Sequence, residues 1–343
     1  MRKWTGLLFG AMTVGFLLGA ASGQAGDKSS GQAGADAVSS APATTLPAGL
    51  RVFTVGHSFH ANWLPGWLAE VTKSSGIQGH EQLGTSMIGG SRVIQHWNLP
   101  DGQNKAKTAL KTGKVDVLTL SPMLSPDEGI VNFVKLALEN NPNTRITVQE
   151  FWLPYDRLDC FGEKSYGESA RTLRNWEDPA SDPDANKARF ETAHFDVPTA
   201  MQIRKLHAPY FKTMDEYVGK LNKDLGRQAV FVVPVGQAVN ALREKIIAGQ
   251  APGITKQSEL FSDKLGHPKA VIQALSAYCH FAVLYSRSPI GLPMPPMLAM
   301  AKADERLNRL LQELAWDAVT HHPLSGMSAK GPSGPATTRA SVE

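Results

Sequence analysis

Between residues 51 and 322 short apolar runs alternate with longer stretches whose apolar positions recur at helical spacing. Residues 51–55 (RVFTV) form a β-branched run stopped by Gly56, and residues 62–74 then carry Trp63, Leu64, Trp67, Leu68 and Val71 on one helical face. Residues 115–120 (VDVLTL), 145–149 (RITVQ) and 229–234 (AVFVVP) predict further strands, and a second strand region precedes Ile88. Helices are predicted over 127–139, 200–225, 237–248, 268–285 and 304–320, the first of them introduced by Ser125 as N-cap and Pro126 as first-turn proline. Continuously apolar strands separated by helices describe a parallel sheet covered on both faces. Four to five of them predict a three-layer α/β/α arrangement, a flavodoxin-like parallel sheet of about five strands.

The flanks differ from this body. Arg2 and Lys3, then the apolar, Gly/Ala-softened run 7–21, then small residues at 20–23 read as a signal peptide over 1–23. The run is shorter than the roughly 20 apolar residues of a membrane span, so no transmembrane anchor is expected after cleavage. Residues 24–48 are a flexible Gly/Ser/Ala linker and 323–343 repeat that composition, which predicts a disordered tail. One domain over 49–322 remains. Within it, 152–199 carries charge, Gly, Pro and aromatics without a period and reads as an insertion over the top of the sheet.

Composition narrows the function. The 343 residues are 42% hydrophobic and 19% charged, with a formal net charge of +4 that falls to +2 once Arg2 and Lys3 are removed. No Lys/Arg run exceeds two residues, so no nucleic-acid partner is expected. The two cysteines, Cys160 and Cys279, are open to pairing in an exported protein. Cys279 lies in the apolar run 274–284, however, where a buried free thiol is the alternative. Neither sits at metal-ligand spacing.

In open parallel sheets ligands bind beyond the carboxyl ends of the strands. The segment after the first strand, Gly56-His57-Ser58-Phe59-His60, therefore places Ser58 where a nucleophile belongs, although a serine there also suits a helix cap. Asp263-Lys264-Leu265-Gly266-His267-Pro268, ahead of a helix, offers a base and a carboxylate to orient it, although each residue alone is ordinary for a loop. His57-x-x-His60 is a weak metal signal, and no metal set is expected. His321-His322 reads as inert at the edge of the tail. Glu150 reads as a structural partner of Arg157. Trp63 and Trp67, four apart on a helix, read as core. Trp152 and Trp176, and more weakly His57, are the substrate-contact candidates.

Together these blocks resemble the SGNH (GDSL-like) hydrolase superfamily. Gly56-His57-Ser58-Phe59 is similar to its nucleophile block, Ile88-Gly89-Gly90-Ser91 to its second block, and Asp263…His267-Pro268 to its last. The resemblance implies Ser58, His267 and Asp263 as catalytic residues, with the amides of Ser58 and Gly89 or Gly90 as the oxyanion hole. It implies a secreted, cofactor-independent serine esterase. O-acyl groups on carbohydrate, acetyl above all, are the substrate class, and a catalytically impaired glycan-binding protein of the cell envelope is the alternative. The sequence departs from the pattern at three points. His57 stands where Asp is usual, and four residues rather than three separate Asp263 from His267. Ser121-Pro122-Met123-Leu124 replaces the Gly-x-Asn-Asp block, which leaves Gln149 and Asn98 as substitute oxyanion donors.

Overall fold

Why the strands settle in one sheet follows from their burial. β1 (Arg51–Gly56) and β3 (Val117–Leu120) are mostly apolar, β4 (Arg145–Glu150) mixes Ile146 and Val148 with polar residues, and all three are buried almost from end to end. β5 (Val230–Pro234) is nearly so, while β2 (Glu81–Met87) is polar and only partly covered, as an edge strand should be. In the computed structural model, which describes residues 46–123, 126–156 and 190–327, all five pair in parallel in the order β2-β1-β3-β4-β5. That is the expected flavodoxin-like order, with the switch between β1 and β3 opening a crevice above their carboxyl ends.

The helices among the described residues are α1 (Leu64–Ser74), α2 (Val93–Trp97), α3 (Lys105–Lys111), α4 (Glu128–Asn140), α5 (Ala200–Asp224), α6 (Val235–Ile247), α7 (Ala270–Tyr285), α8 (Pro296–Met300) and α9 (Glu305–His321). α7 packs on both α1 and α9, α2 and α3 pack on α4, and α5 packs on β5 and α6. α7 is apolar all round and buried over nearly its whole length, as expected of a helix held between the sheet and another helix. Its Cys279 is a free buried thiol, and Cys160 lies outside the described residues. α4 is capped by Asp127, whose carboxylate accepts from the Gly129 amide. The predicted cap, Ser125, also lies outside the described residues.

Two boundaries differ from expectation. Residues 323–327, assigned to the disordered tail, pack against the body: the Leu324 carbonyl accepts from the Val232 amide, and buried Ser325 donates to Val319 and His322 carbonyls. Residues 152–156 and 190–199, the ends of the presumed insertion, are likewise anchored. Arg243 of α6, fully buried, makes a bidentate pair with Asp156 at 2.6 Å for each bond, and also donates to Gln257 at 2.7 Å and to the Phe195 carbonyl at 3.3 Å. One guanidinium thus fastens three otherwise irregular segments. Removing one partner of a buried pair strands the other charge, a cost of about 3–5 kcal/mol. Arg243→Met is therefore expected to lower the thermal midpoint by many degrees in a melt followed by circular dichroism. Adding Asp156→Asn, which removes the stranded charge and tolerates the positive φ of 51° there, should recover much of the loss.

Candidate active site

Strand register decides which loop residues meet. Gly56 pairs with Met87 and Val55 with Leu120. The ladder continues past the strand ends through Ile88 N–H to the Gly56 carbonyl (3.2 Å) and Ser121 N–H to the Val55 carbonyl (3.0 Å). Ser58 and Gly89 are each two residues beyond the Gly56–Met87 rung, and so share the rim of the crevice.

After Gly56 the chain turns tightly, with the His60 and Ala61 amides both donating to the His57 carbonyl. The Trp63 indole N–H holds the Ser58 carbonyl at 3.0 Å. The N-cap of α1 is Trp63, not Ser58. The Ser58 hydroxyl is instead 2.8 Å from His267 Nε2, across a separation of 209 residues.

The loop that carries His267 is a small closed structure. Phe261 and Pro268 form an antiparallel bridge, and the Ser262 amide donates to the His267 carbonyl at 2.9 Å. Gly266, at φ +98°, takes a turn that a side chain would strain. That extra residue in the turn accommodates the four-residue Asp-to-His spacing. Asp263 Oδ2 is 2.6 Å from His267 Nδ1, while Oδ1 accepts from the Gly266 amide at 3.0 Å and the His267 amide at 3.1 Å. Burial pushes the Asp263 carboxyl upward, but the His267 side chain and these two amides outweigh it, and its pKa is lowered from the usual carboxylate value. The aspartate stays ionised and fixes the imidazole proton on Nδ1, leaving Nε2 free to accept from Ser58. The imidazole is braced by Phe59, edge-on at 5.1 Å, which in turn stacks on Trp152 at 4.9 Å. Trp67 reaches the same loop through Gln273, which also bonds the Pro268 carbonyl.

The second block is held by a network the sequence did not disclose. His96 is 2.7 Å from both the Ser86 and Ser91 hydroxyls. Asp127 accepts from the Val93 and Ile94 amides as well as from Gly129, tying the start of α2 to that of α4. Gly90, at φ +57°, lies between these anchors. Among the described residues the Ser58, Gly89 and Gly90 amides donate to no protein acceptor, as groups awaiting an oxyanion would. Met123, which replaces the asparagine donor, is a buried apolar side chain near Gly90.

Several candidates are displaced from the roles expected of them. Trp152 touches no open surface: it is fully buried and donates from Nε1 to the Gly266 carbonyl at 2.8 Å, supporting the base loop from beneath. Trp176 and Arg157 lie outside the described residues. His57 is fully buried rather than lining a cleft, with Nδ1 accepting from the Phe59 amide and Nε2 3.3 Å from Ser121 Oγ. His60 bonds Thr119, so the two histidines do not converge with His267. Gln149 is spent, donating to the Phe59 carbonyl and accepting at Oε1 from His280. Asn98 is an exposed C-cap of α2. Neither residue supplies a third oxyanion donor.

The buried histidines have a consequence for stability. Burial pushes His57 down to about 3, helped by His96 and His267, and burial alone pushes His280 down to about 3. The unfolded chain takes up their protons from about pH 6.5 downward, whereas the folded chain does so only near 3. Stability is therefore fully present above pH 6.5 and is lost as pH falls from 6.5 toward 3, by up to about 1.4 kcal/mol per pH unit for each. Thermal midpoints should drop between pH 6.5 and 4.5, and a flat profile there would contradict neutral burial.

No helix of the described residues is long and apolar enough to cross a membrane. No family model matches the chain, and no curated protein matches it significantly. Among solved structures the chain is similar to a DUF4886 family protein from Bacteroides uniformis ATCC 8492, at 16% identity and a TM-score of 0.47 over 79% of this chain and 95% of that one. It is also similar to a candidate GDSL-like lipase from Parabacteroides merdae ATCC 43184, at 14% identity and a TM-score of 0.35 over 70% of this chain and 97% of that one. Both are similarities of backbone arrangement alone.

Proposed function

We propose that this chain is an exported serine esterase of the SGNH type that removes short acyl groups, acetyl above all, from carbohydrate hydroxyls. The observation that carries the reading is the continuous relay Ser58 Oγ–His267 Nε2 (2.8 Å) and His267 Nδ1–Asp263 Oδ2 (2.6 Å) at the rim of the crevice. In the reaction Ser58 Oγ attacks the ester carbonyl while His267 takes its proton, and the Ser58 amide with that of Gly89 or Gly90 holds the oxyanion. His267 then protonates the departing alcohol. Water, deprotonated by the same imidazole, attacks the acyl-serine and frees the acid. The substrate class is supported by fold analogy and by the signal-like N-terminus, since export would bring the protein to envelope or extracellular glycans. Met123 in place of the asparagine favours the alternative of a glycan-binding protein with an impaired site, since losing one such donor costs on the order of 3 kcal/mol.

The test is turnover of p-nitrophenyl acetate, butyrate and octanoate, with acetate release from an acetylated polysaccharide run alongside. The proposal expects acetyl esters to be cleaved at least tenfold faster than octanoyl esters, and acetate to appear. Absence of turnover on every ester, with retained affinity for the polysaccharide, would leave the binding reading in its place.

A further inference from the structure

Away from the serine, three side chains from distant parts of the sequence converge beneath the end of β4. Glu150 is the last residue of that strand, Asp215 lies midway along α5, and His322 directly follows α9. One ligand atom from each lies within 4.8 Å of the other two. Glu150 is fully buried and His322 nearly so. Both Glu150 oxygens, Asp215 Oδ1 and His322 Nε2 are buried without a hydrogen-bond partner among the described residues. Gln237 at the start of α6 favours the charged form of Glu150, yet neither carboxylate oxygen is in hydrogen-bond geometry with it. Asp215 Oδ1 and His322 Nε2 are 3.1 Å apart but misaligned for a hydrogen bond.

A carboxylate sealed from water with both oxygens unmet, a second carboxylate and an imidazole aimed into the same space form a pocket of electron pairs that a cation would satisfy. Among the described residues no Lys or Arg is paired with Glu150, and the imidazole alone leaves both of its oxygens unmet. We propose that Glu150, Asp215 and His322 form a structural divalent-cation site, suited by its two oxygen ligands and one imidazole nitrogen to Zn²⁺ or a similar first-row ion with water completing the shell. Ligands of one such ion stand about 3.0–3.5 Å apart at metal–ligand distances of about 2.1 Å, so a pair at the 4.8 Å limit closes by about 1.3–1.8 Å on loading. Binding through Nε2 puts the imidazole proton on Nδ1, which now accepts from the Leu324 amide at 3.2 Å; that contact must open on loading. The ion would join β4, α5 and the C-terminal segment 322–327, whose Leu324 carbonyl already pairs with β5. Its role is fastening rather than catalysis.

The test is isothermal titration of the chelator-treated full-length protein with Zn²⁺, with native mass spectrometry for stoichiometry and thermal melts with and without the ion. One ion per chain, a raised thermal midpoint and faster amide exchange at Leu324 are expected. Glu150→Gln and His322→Ala should each weaken the affinity at least 100-fold, while Ser58→Ala binds as tightly as the parent. Should either variant fail to fold, the stoichiometry and the Leu324 exchange of the parent still decide. Absence of stoichiometric binding by the parent, or binding undiminished in folded Glu150→Gln, would overturn the site and identify Glu150 as a permanently protonated buried acid. Since Ser58→Ala is a binding-competent control, failure here leaves the esterase reading untouched, and failure of that reading leaves the cation site standing.

Discussion

Replacing Ser58 with alanine is expected to lower kcat toward p-nitrophenyl acetate by about 10⁵- to 10⁶-fold, with KM changed little. Among the described residues the two other serines of these loops cannot take over the nucleophile's place. The Ser91 hydroxyl is committed to His96 and that of Ser121 faces His57, so neither stands before the imidazole. Some acceleration over water should survive in the variant, because the amides of residues 58, 89 and 90 and the shape of the crevice are unaltered. The folded structure should be kept as well: among the described residues Ser58 Oγ bonds His267 alone, and the turn around it is held by backbone and by Trp63. A melt matching the parent's would separate lost chemistry from lost fold.

Asp263→Asn is expected to cost about 10⁴-fold in kcat, for a reason visible in the loop. In the parent, Oδ2 receives the Nδ1 proton at 2.6 Å. An asparagine that keeps its oxygen on the Gly266 and His267 amides must turn its NH₂ toward Nδ1, which then has to accept. The imidazole proton moves to Nε2, where it faces the Ser58 hydroxyl and cannot receive that proton. The turn itself loses little, because the two backbone contacts to Oδ1 persist. A variant with a near-parental melt and a 10⁴-fold lower kcat would establish the tautomer argument. A loss under tenfold would show that the carboxylate does not orient the base.

How much of this was legible in the sequence varies with the physics of each part. Strands β1, β3 and β5 are buried on both faces and stand out as apolar runs, and β4, equally buried, through its β-branched Ile146, Thr147 and Val148. β2 (EQLGTSM) is partnered on one side and half exposed, so it carries no such run. Helices α2 and α3, with five and seven residues, are too short for a period to register. Ser58, Asp263 and His267 were readable because parallel topology sends successive loops to one rim. The departure in Asp-to-His spacing resolves through Gly266, whose positive φ sequence spacing alone does not reveal.

Burial was the harder quantity. His57 and His60 look like solvated loop histidines, yet the tight turn after Gly56 drives both beneath the sheet's rim. Trp152 follows a strand and precedes Pro154, and so reads as the start of an exposed insertion. Instead the chain stays down long enough for the indole to stack on Phe59 and hold Gly266. His322 looks inert at the edge of a tail because the residues after it are small and polar. Leu324 nevertheless satisfies the Val232 amide of β5, and Ser325 the carbonyls of Val319 and His322, which keeps the segment packed. Hydrophobicity alone does not predict these placements, since each depends on hydrogen bonds to residues far away in the chain.

The central claim is that Ser58 is an activated nucleophile, and covalent labelling reads it most directly. The full-length protein would be incubated with a fluorophosphonate near neutral pH, digested, and mapped by mass spectrometry. A single adduct on the peptide containing Ser58, lost in His267→Ala and slowed by an ester substrate, is the expected result. An unlabelled protein, or an adduct on some other serine, would contradict the account.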